Sequence, residues 1–412
     1  MSEIPTALPT GADVSPIRVV HPGLVMLALS VGGFAIGTTE FATMSLLPYF
    51  SVGLGIDAPT AGHVISAYAL GVVVGAPIIA VLAARMARRT LLIALMAMFA
   101  LGNLLSAVAP DYHSMLIFRF LSGLPHGAYF GVAALVAAGL VPPNRRTQAV
   151  SRVMAGLTIA TIIGVPFANA LGQAIGWRWG FGVVSVLALL TALLLWLYAP
   201  HDIAPEGASP LRELGALRRK QVWLTLGAGA IGFGGLFAVY TYVASTMLAV
   251  THVSPALLPV VLGIFGLGLT AGNFFAGWAA DRALMPAAVG MFLWSAVALA
   301  LYPFMAGNIW LLSIVIFLIG CGGGVGPVLQ IRLMDVAGEA QTLAAALHHS
   351  AFNFANALGP WLGGLAIAAG YGWTSTGWVG SLLALGGIAI LSLSIALERR
   401  DRRGRERLCT AG

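Results

Sequence analysis

One acidic residue, Glu40, lies deep inside a long apolar stretch, residues 23–49. A charge in hydrocarbon costs several kcal/mol, so an ionisable residue in such a place is a functional candidate. Burial favours the neutral form of a carboxyl group, which would allow Glu40 to bind and release a proton as its access to water changes. The alternative is a structural carboxylate that holds the packing together by bonding to nearby hydroxyls, such as those of Thr38, Thr39 or Thr43.

A basic residue, Arg119, stands inside another apolar stretch, residues 114–140. A buried arginine needs a carboxylate, carbonyl groups or water around it, and Glu40 is the obvious acidic candidate. If the two side chains meet, protonation of Glu40 could open the ion pair, and loss of that proton could close it again. The alternative is that Arg119 extends along the surface toward the outer boundary of the membrane.

A polar stripe begins at His348 and His349 and continues to Asn353 and Asn356. On a helix, His349, Asn353 and Asn356 share one face, whereas His348 points about a quarter turn away. A metal site would need three or four converging ligands, and no other His or Cys has suitable spacing, so no metal is expected. The two asparagines are expected to make hydrogen bonds between helices, and His349 is left as a contact for substrate or a proton.

His126 follows Arg119 in the same stretch and has the same two interpretations, structural or functional. Further candidates for the lining of a polar cavity are weaker because each type is more often structural; they are Asn169, Gln173, Tyr240, Tyr242 and Gln330.

The elements that must position these residues are twelve apolar stretches. The chain has 412 residues, of which 59% are hydrophobic and 8% charged, and its mean hydropathy is +0.93. A soluble domain is about a quarter charged. Each stretch is long enough to cross about 30 Å of hydrocarbon, where the backbone must satisfy itself as a helix. The predicted spans are 23–49, 61–83, 90–109, 114–140, 148–171, 179–199, 221–248, 256–280, 285–304, 309–333, 341–368 and 375–397.

The arginines fall almost entirely in every second gap between these spans. Arginine and lysine accumulate in short cytoplasmic loops, so the alternation predicts an even number of crossings with both termini in the cytoplasm. Residues 1–21 show no apolar core with a cleavage site, so the first span is expected to be retained. We expect a multi-pass protein of a bacterial-type inner (plasma) membrane.

Composition and motifs exclude several function classes. The net charge of +7 is explained by loops facing anionic lipid, so nucleic acid is not expected as a partner. Cys321 and Cys409 do not suggest a disulfide. There is no phosphate-binding loop and no nucleophile or metalloprotease motif, so neither an enzyme nor ATP-driven work is predicted. No cofactor is expected; an ion gradient, facilitated diffusion or a partner subunit remains as the energy source.

The domain layout follows from the longest polar interruption, residues 200–220. We predict a cytoplasmic N-terminus (1–22), a six-helix bundle (23–199), a cytoplasmic linker (200–220), a second six-helix bundle (221–397) and a basic cytoplasmic tail (398–412). A weak repeat relates the loop after span two, with Arg85, Arg88 and Arg89, to the loop after span eight, with Asp281 and Arg282. Glycines four residues apart predict close helix contacts.

The sequence resembles the major facilitator superfamily over roughly residues 20–398. Gly277-Trp-Ala-Ala-Asp281-Arg282 is similar to the superfamily's loop signature, although the first copy has Ala84 where Asp is usual. Arg119-x-x-x-Gly123 resembles a span-four signature linked with proton coupling, and Gly156 to Gly172 resembles the span-five exporter pattern. Gly37-Thr-Thr-Glu40-Phe and Ala351-Phe-Asn353-x-x-Asn356-Ala-Leu-Gly359 look like the drug:proton antiporter branch of arabinose-efflux-like and chloramphenicol-resistance-like permeases.

The resemblance implies an all-α membrane protein with twelve transmembrane helices in two six-helix bundles related by pseudo-symmetry. It implies export of a small organic molecule, such as a sugar, nucleoside or drug, in exchange for protons, by a monomer that exposes a central cavity alternately to either side. Glu40 and Arg119 would couple the proton, and the cavity would be lined by His126, Tyr240, Gln330, His349, Asn353 and Asn356. Arg85, Arg88, Arg89, Asp281 and Arg282 would form the cytoplasmic gate. Uptake by symport, a membrane sensor and an intramembrane enzyme are the rival functions.

Overall fold

The computed structural model describes residues 21–83, 86–142, 146–200, 217–337 and 341–410. Within these ranges the regular structure is entirely helical. The helices of the N-terminal half are α1 (Pro22–Ser45), α2 (Ala58–Leu82), α3 (Arg88–Ala107), α4 (Tyr112–Gly139), α5 (Arg146–Ile159, the π-helical turn Ala160–Gly164 and Val165–Ile175) and α6 (Arg178–Tyr198), with a short helix, Leu47–Leu54, after α1.

The C-terminal half repeats this arrangement with six further helices. They are α7 (Lys220–Gly232 and Gly234–Ala249), α8 (Leu258–Ala280), α9 (Leu284–Met305), α10 (Ile309–Gly322 and Val325–Ala337), α11 (Gln341–Ala366) and α12 (Ser375–Thr410). A 3₁₀ turn, Pro255–Leu257, precedes α8, and a π-helical turn, Ile367–Tyr371, follows α11.

The predicted spans coincide with these helices. Eleven helical segments in the described ranges are long and apolar enough to cross a membrane. The remaining predicted span, 341–368, corresponds to α11, whose 26 residues also reach across about 30 Å but carry the polar stripe. The predicted linker, 200–220, falls mostly on residues 201–216, which lie outside the described residues, as does the predicted N-terminus up to residue 20.

Glycines bring helix pairs into close contact in both halves. A Cβ atom at Gly71 of α2 would lie 2.1 Å from the Phe120 carbonyl oxygen of α4, so the two backbones can meet only without a side chain there. In the C-terminal half, Gly268 of α8 meets the Phe317 carbonyl oxygen of α10 in the same way, at 2.3 Å. Each position lies 197 residues after its counterpart (71 to 268, 120 to 317), so the two halves share one packing plan.

The main contacts between the two halves join α2 with α11, α5 with α8, α1 with α7, and α4 with α11. At α2 and α11, the Ser66 hydroxyl donates to the Ala357 carbonyl oxygen at 2.8 Å. The Gln173 amide, at the end of α5, donates to the Pro255 carbonyl oxygen before α8 at 2.9 Å. The first bond joins the halves within the length of α2 and α11, and the second joins them at one end of the helices.

The hydrophobic core shows which end is closed. We call the end of the helices that carries the arginine loops the arginine-rich end, and the other the opposite end. Toward the opposite end, one cluster of buried side chains combines both halves, from Phe41 and Trp177 to Val261 and Ile316. Toward the arginine-rich end, the clusters of described residues are separate: one contains only N-terminal residues and two contain only C-terminal residues. The halves are therefore packed together at the opposite end.

Candidate functional site

Glu40 lies on α1 where the two halves meet. Its side chain is 7% exposed, and its Oε1 atom accepts a hydrogen bond of 3.1 Å from the Nδ2 amide of Asn356. Asn356 belongs to α11, so this bond crosses from one half to the other. The Asn356 side chain is fully buried, and its Oδ1 atom has no hydrogen-bond partner among the described residues. The predicted hydrogen bond between helices is present at Asn356.

Arg119 is held by neutral oxygen atoms. Its Nη1 atom lies 3.2 Å from the Thr39 hydroxyl and 3.5 Å from both Asn103 Oδ1 and the Ser122 hydroxyl. Its guanidinium carbon stands 4.3 Å from the centre of the Tyr68 ring, where the face of an aromatic ring attracts a cation. Arg119 is 1% exposed, so the alternative that it extends to the membrane surface is wrong.

The acid and the base are neighbours rather than a direct pair in this conformation. Arg119 bonds to Thr39, the residue before Glu40, while Glu40 bonds to Asn356. Since Thr39 and Glu40 are adjacent on α1, the guanidinium group and the carboxyl group lie near each other. Two of the three threonines predicted as alternative partners of Glu40 bond elsewhere: Thr39 donates to Asn103 at 2.7 Å, and Thr43 donates to the Thr39 carbonyl oxygen. The Thr38 hydroxyl is buried without a partner among the described residues.

Two histidines meet across the halves. His126 of α4 lies 2.9 Å from the Tyr68 hydroxyl through its Nδ1 atom, and its ring centre is 6.4 Å from that of His349 on α11. His349 stacks on Phe130 of α4, with ring centres 5.4 Å apart and planes 9° from parallel. The predicted contact residues His126 and His349 are thus in one place. Among the described residues, no group of three His, Cys, Asp or Glu side chains could hold a metal ion.

A chain of aromatic rings extends from this point through the C-terminal half and back to α1. The ring centres of His348 and Phe352 are 4.3 Å apart, and those of Phe352 and Phe233 are also 4.3 Å apart. The ring centres of Phe233 and Phe237 are 5.4 Å apart. Phe41, next to Glu40, contacts Phe237, Tyr240 and Phe265. We call this set the aromatic chain; it consists of Phe41, Tyr68, His126, Phe130, Phe233, Phe237, Tyr240, Phe265, His348, His349 and Phe352.

Several polar atoms near the aromatic chain are buried without a partner among the described residues. They include the hydroxyl of Tyr240 and Oδ1 of Asn353. Asn353 donates to the carbonyl oxygen of His349 on its own helix at 3.0 Å, so it makes no bond to another helix in this conformation. Gln330 is half-buried on α10. Buried polar groups are normally satisfied, so these atoms can accept or donate bonds to a guest molecule or water.

Sequence reasoning missed part of this arrangement. Asn103 and most of the aromatic chain carry no chemical motif, and their positions become significant only when α3, α7 and α8 are packed. The signal that could have found Phe41 is its place directly after Glu40.

The predicted gate residues lie at the arginine-rich end. Arg282 folds onto its own helix, where it donates to the Trp278 carbonyl oxygen at 2.8 Å and stands 3.8 Å from the centre of the Trp278 ring. Asp281 is exposed. Arg88 and Arg89 line a cavity of about 180 Å³ with Leu140 and the end of α6, and Arg89 donates to the Trp196 carbonyl oxygen.

Arg85, the fifth predicted gate residue, lies outside the described residues. The role of these residues as a gate stays a prediction. An ion pair that the structure does contain links Arg332 to Glu398 at 2.8 Å, between α10 and α12.

Comparison with known proteins agrees with this architecture. The family profile of the Major Facilitator Superfamily matches residues 29–251 and 239–408, one match for each half. The chain belongs to the major facilitator superfamily. It is therefore a transporter of small molecules in the lipid bilayer and not an enzyme, and it is a multi-pass inner-membrane protein. The predicted fold of two six-helix bundles is confirmed.

Relatives agree with the predicted branch of the superfamily. The chain is 39% identical to the inner membrane transport protein YdhP of Escherichia coli (strain K12), an alignment that covers 94% of this chain and 98% of the relative. It is 34% identical to the putative transporter AraJ of the same organism, over 92% and 96%. It is 32% identical to a chloramphenicol resistance protein of Streptomyces lividans, again over 92% and 96%.

Proposed function

We propose that the protein exports a small organic molecule, of the sugar, nucleoside or drug classes, in exchange for protons, by exposing a central site alternately to the two sides of the membrane. Glu40 is the proton acceptor, and the proton gradient is the energy source. No cofactor takes part, and the transporter acts as a monomer.

The observation that carries this proposal is the position of Glu40. The Glu40 side chain is nearly buried, at 7% exposure, and lies at the contact between the two halves, which must open and close during transport. Its hydrogen bond to Asn356 crosses from one half to the other. A group that changes charge at this place changes the energy of contact between the halves, which is what coupling to protons requires.

We place the substrate site at the aromatic chain. Aromatic faces accept the flat or apolar faces of organic molecules, and a few well-placed polar atoms set their orientation. The unpartnered Tyr240 hydroxyl and Asn353 Oδ1 are suited to that second task. A probable sugar efflux transporter of Helicobacter pylori, 29% identical to this chain, supports export as the direction.

Orientation follows from charge. The arginine-rich end is the cytoplasmic end, because arginine accumulates in cytoplasmic loops. Both termini then lie in the cytoplasm. Since the halves are joined at the opposite end and have separate cores at the arginine-rich end, the conformation is the one that receives cargo from the cytoplasm.

Transport in everted vesicles and proteoliposomes tests the proposal. A panel of radiolabelled arabinose, chloramphenicol and nucleosides is offered with an imposed pH gradient. The wild-type protein is expected to move at least one of these compounds against its gradient, in the export direction. Glu40→Gln, which removes the ionisable group at nearly constant size, is expected to abolish proton-driven flux.

A matched control is Asp111→Asn. Asp111 caps α4 at the opposite end through the Ser114 amide, at 2.9 Å, and asparagine caps helices equally well. This variant is expected to transport normally. Full gradient-driven flux in Glu40→Gln would remove Glu40 from the coupling role, and proton-driven movement of the compound toward the cytoplasmic face of the membrane would show a symporter for uptake.

A further inference from the structure

The Asn356 side chain is only half satisfied in a fully buried place. Its Nδ2 atom donates to Glu40, while its Oδ1 atom has no donor among the described residues. An amide oxygen that is buried without a donor costs about 1–3 kcal/mol. An ionised carboxylate can only accept hydrogen bonds, so it cannot provide the missing donor.

A protonated Glu40 has the group that Asn356 lacks. A carboxylic acid has one O–H donor in addition to its accepting oxygen, so acid and amide can form two hydrogen bonds side by side. We propose that Asn356 senses the proton on Glu40: protonation adds a second hydrogen bond across the halves and favours the conformation that is closed at the opposite end. This inference rests on the proposed function, since it specifies how the proton changes the conformation.

The neighbouring residue provides a fixed reference. Ala357, directly after Asn356, accepts a hydrogen bond from the Ser66 hydroxyl of α2 at 2.8 Å. That bond does not depend on pH, because neither group titrates in the physiological range. The segment of α11 at 356 and 357 is therefore attached to the N-terminal half by one constant bond and by a contact that gains a second hydrogen bond when Glu40 takes up a proton.

The consequence fits an exchange cycle. A proton that arrives from the opposite end closes that end behind it, and the conformation then faces the arginine-rich end. Loss of the proton on that side weakens the attachment, so the halves can separate again with cargo bound. The proton thus drives the return step of an exporter.

Other titratable or charged groups surround the pair from several helices. They are Tyr68 of α2, Arg119 and His126 of α4, Tyr240 of α7, and His348 and His349 of α11. Protonation of the histidines could also change the conformation of the protein as the pH is lowered. They bond to Tyr68 and stack on Phe130 rather than contact Asn356, so a variant at Asn356 separates their effect from that of Glu40.

Distance measurements between spin labels test the inference without a known substrate. Labels are placed at the opposite end on Val52 after α1 and Tyr371 after α11, which are 82% and 76% exposed. Cys321 and Cys409 are replaced by serine beforehand. In the wild-type background, lowering the pH from 8.5 to 5 is expected to raise the ratio of the short to the long distance by about tenfold, the effect of about 1.4 kcal/mol.

Three variants give distinct results. Asn356→Leu is expected to remove this pH response, and Asn169→Leu, equally buried but bonded to the Ser45 carbonyl oxygen within the N-terminal half, is expected to keep it. Glu40→Gln is expected to show the short distance at both pH values, because the glutamine amide also donates to Asn356 Oδ1. If Asn356→Leu fails to fold, Glu40→Leu replaces it, since leucine cannot pair with Asn356 and is expected to lose the short distance.

A full pH response in Asn356→Leu, or no response in the wild-type protein, would overturn the inference while leaving proton-driven transport through Glu40 intact. Gradient-driven flux that survives Glu40→Gln would instead overturn the proposed function.

Discussion

The network around Arg119 gives a prediction that can be worked out from the hydrogen bonds of one residue. Asn103 on α3 is fully buried, accepts from the Thr39 hydroxyl at 2.7 Å and from Arg119 Nη1 at 3.5 Å, and donates to the Phe99 carbonyl oxygen at 2.9 Å. Asn103→Leu keeps the number and branching of the side-chain heavy atoms but removes the shared acceptor. The loss of the short bond costs about 1 to 1.5 kcal/mol and that of the longer charged contact about 0.5, so the free energy of unfolding is expected to fall by about 2 kcal/mol.

The assay is unfolding of the purified protein in mixed micelles of increasing dodecyl sulfate content, together with proton-driven flux. Asn169→Leu is the matched control, because Asn169 is equally buried and donates to the Ser45 carbonyl oxygen at 2.9 Å, away from Arg119. Both variants are expected to be less stable, but only Asn103→Leu is expected to lose transport, since Arg119 is no longer positioned. An unfolding free energy of Asn103→Leu within about 0.5 kcal/mol of the wild-type value, with normal flux, would show that Asn103 neither stabilises the fold nor positions Arg119.

Two further substitutions test the packing and a helix cap. Gly272→Val on α8 places a Cβ atom 2.0 Å from the Cys321 carbonyl oxygen, so α8 and α10 must separate and thermal stability is expected to fall clearly; Gly277→Ala, which has nothing within 4 Å, is expected to be neutral in the same melting experiment. Asp57 caps α2 through the Thr60 amide at 2.8 Å, and the hydrogen bonds from Thr60 hold the pKa of the Asp57 carboxyl below its ordinary value. The stabilisation of the fold by the ionised Asp57 cap is therefore complete above pH 4 and is lost as the pH falls through the lowered pKa. Asp57→Ala is expected to lower the free energy of unfolding by about 1 kcal/mol at pH 7 and by progressively less in acid. An equal loss at pH 7 and pH 2.5 in micelle unfolding would contradict this.

Much of the fold could be predicted from the sequence because the physical constraints are local. A span must be apolar for about 20 residues and must be helical, and the arginines mark every second loop, so the twelve helices and their two groups follow from hydropathy and charge. The close contacts of Gly71 and Gly268 follow from spacing for the same reason.

The site was less predictable because it depends on which faces meet after folding. Glu40, Arg119, His349 and Asn356 stand out as polar residues in apolar stretches, and the structure gathers them. Their partners do not stand out in the sequence. Asn103 bonds to Arg119 only because α3 packs against α4 in the folded protein. Likewise, Glu40 and Arg119 do not bond to each other as expected. Arg119 donates to the Thr39 hydroxyl, and Glu40 accepts from the Asn356 amide.

The gate shows a further limit of sequence reasoning. The loop signature places Asp281 and Arg282 at the arginine-rich end, but a contact between halves at that end depends on the conformation. In the conformation described, Arg282 lies on Trp278 of its own helix.

The proposed transport cycle requires that Glu40 takes up and releases a proton inside the membrane. Infrared difference spectroscopy of the reconstituted protein measures this directly, because a protonated carboxyl group absorbs separately from a carboxylate. As the pH is lowered, a carboxylic acid band is expected to appear in the wild-type protein, to be missing in Glu40→Gln, and to shift in Asn356→Leu, which removes the amide partner. A spectrum in which Glu40→Gln retains every acid band of the wild-type protein across the range would contradict the account.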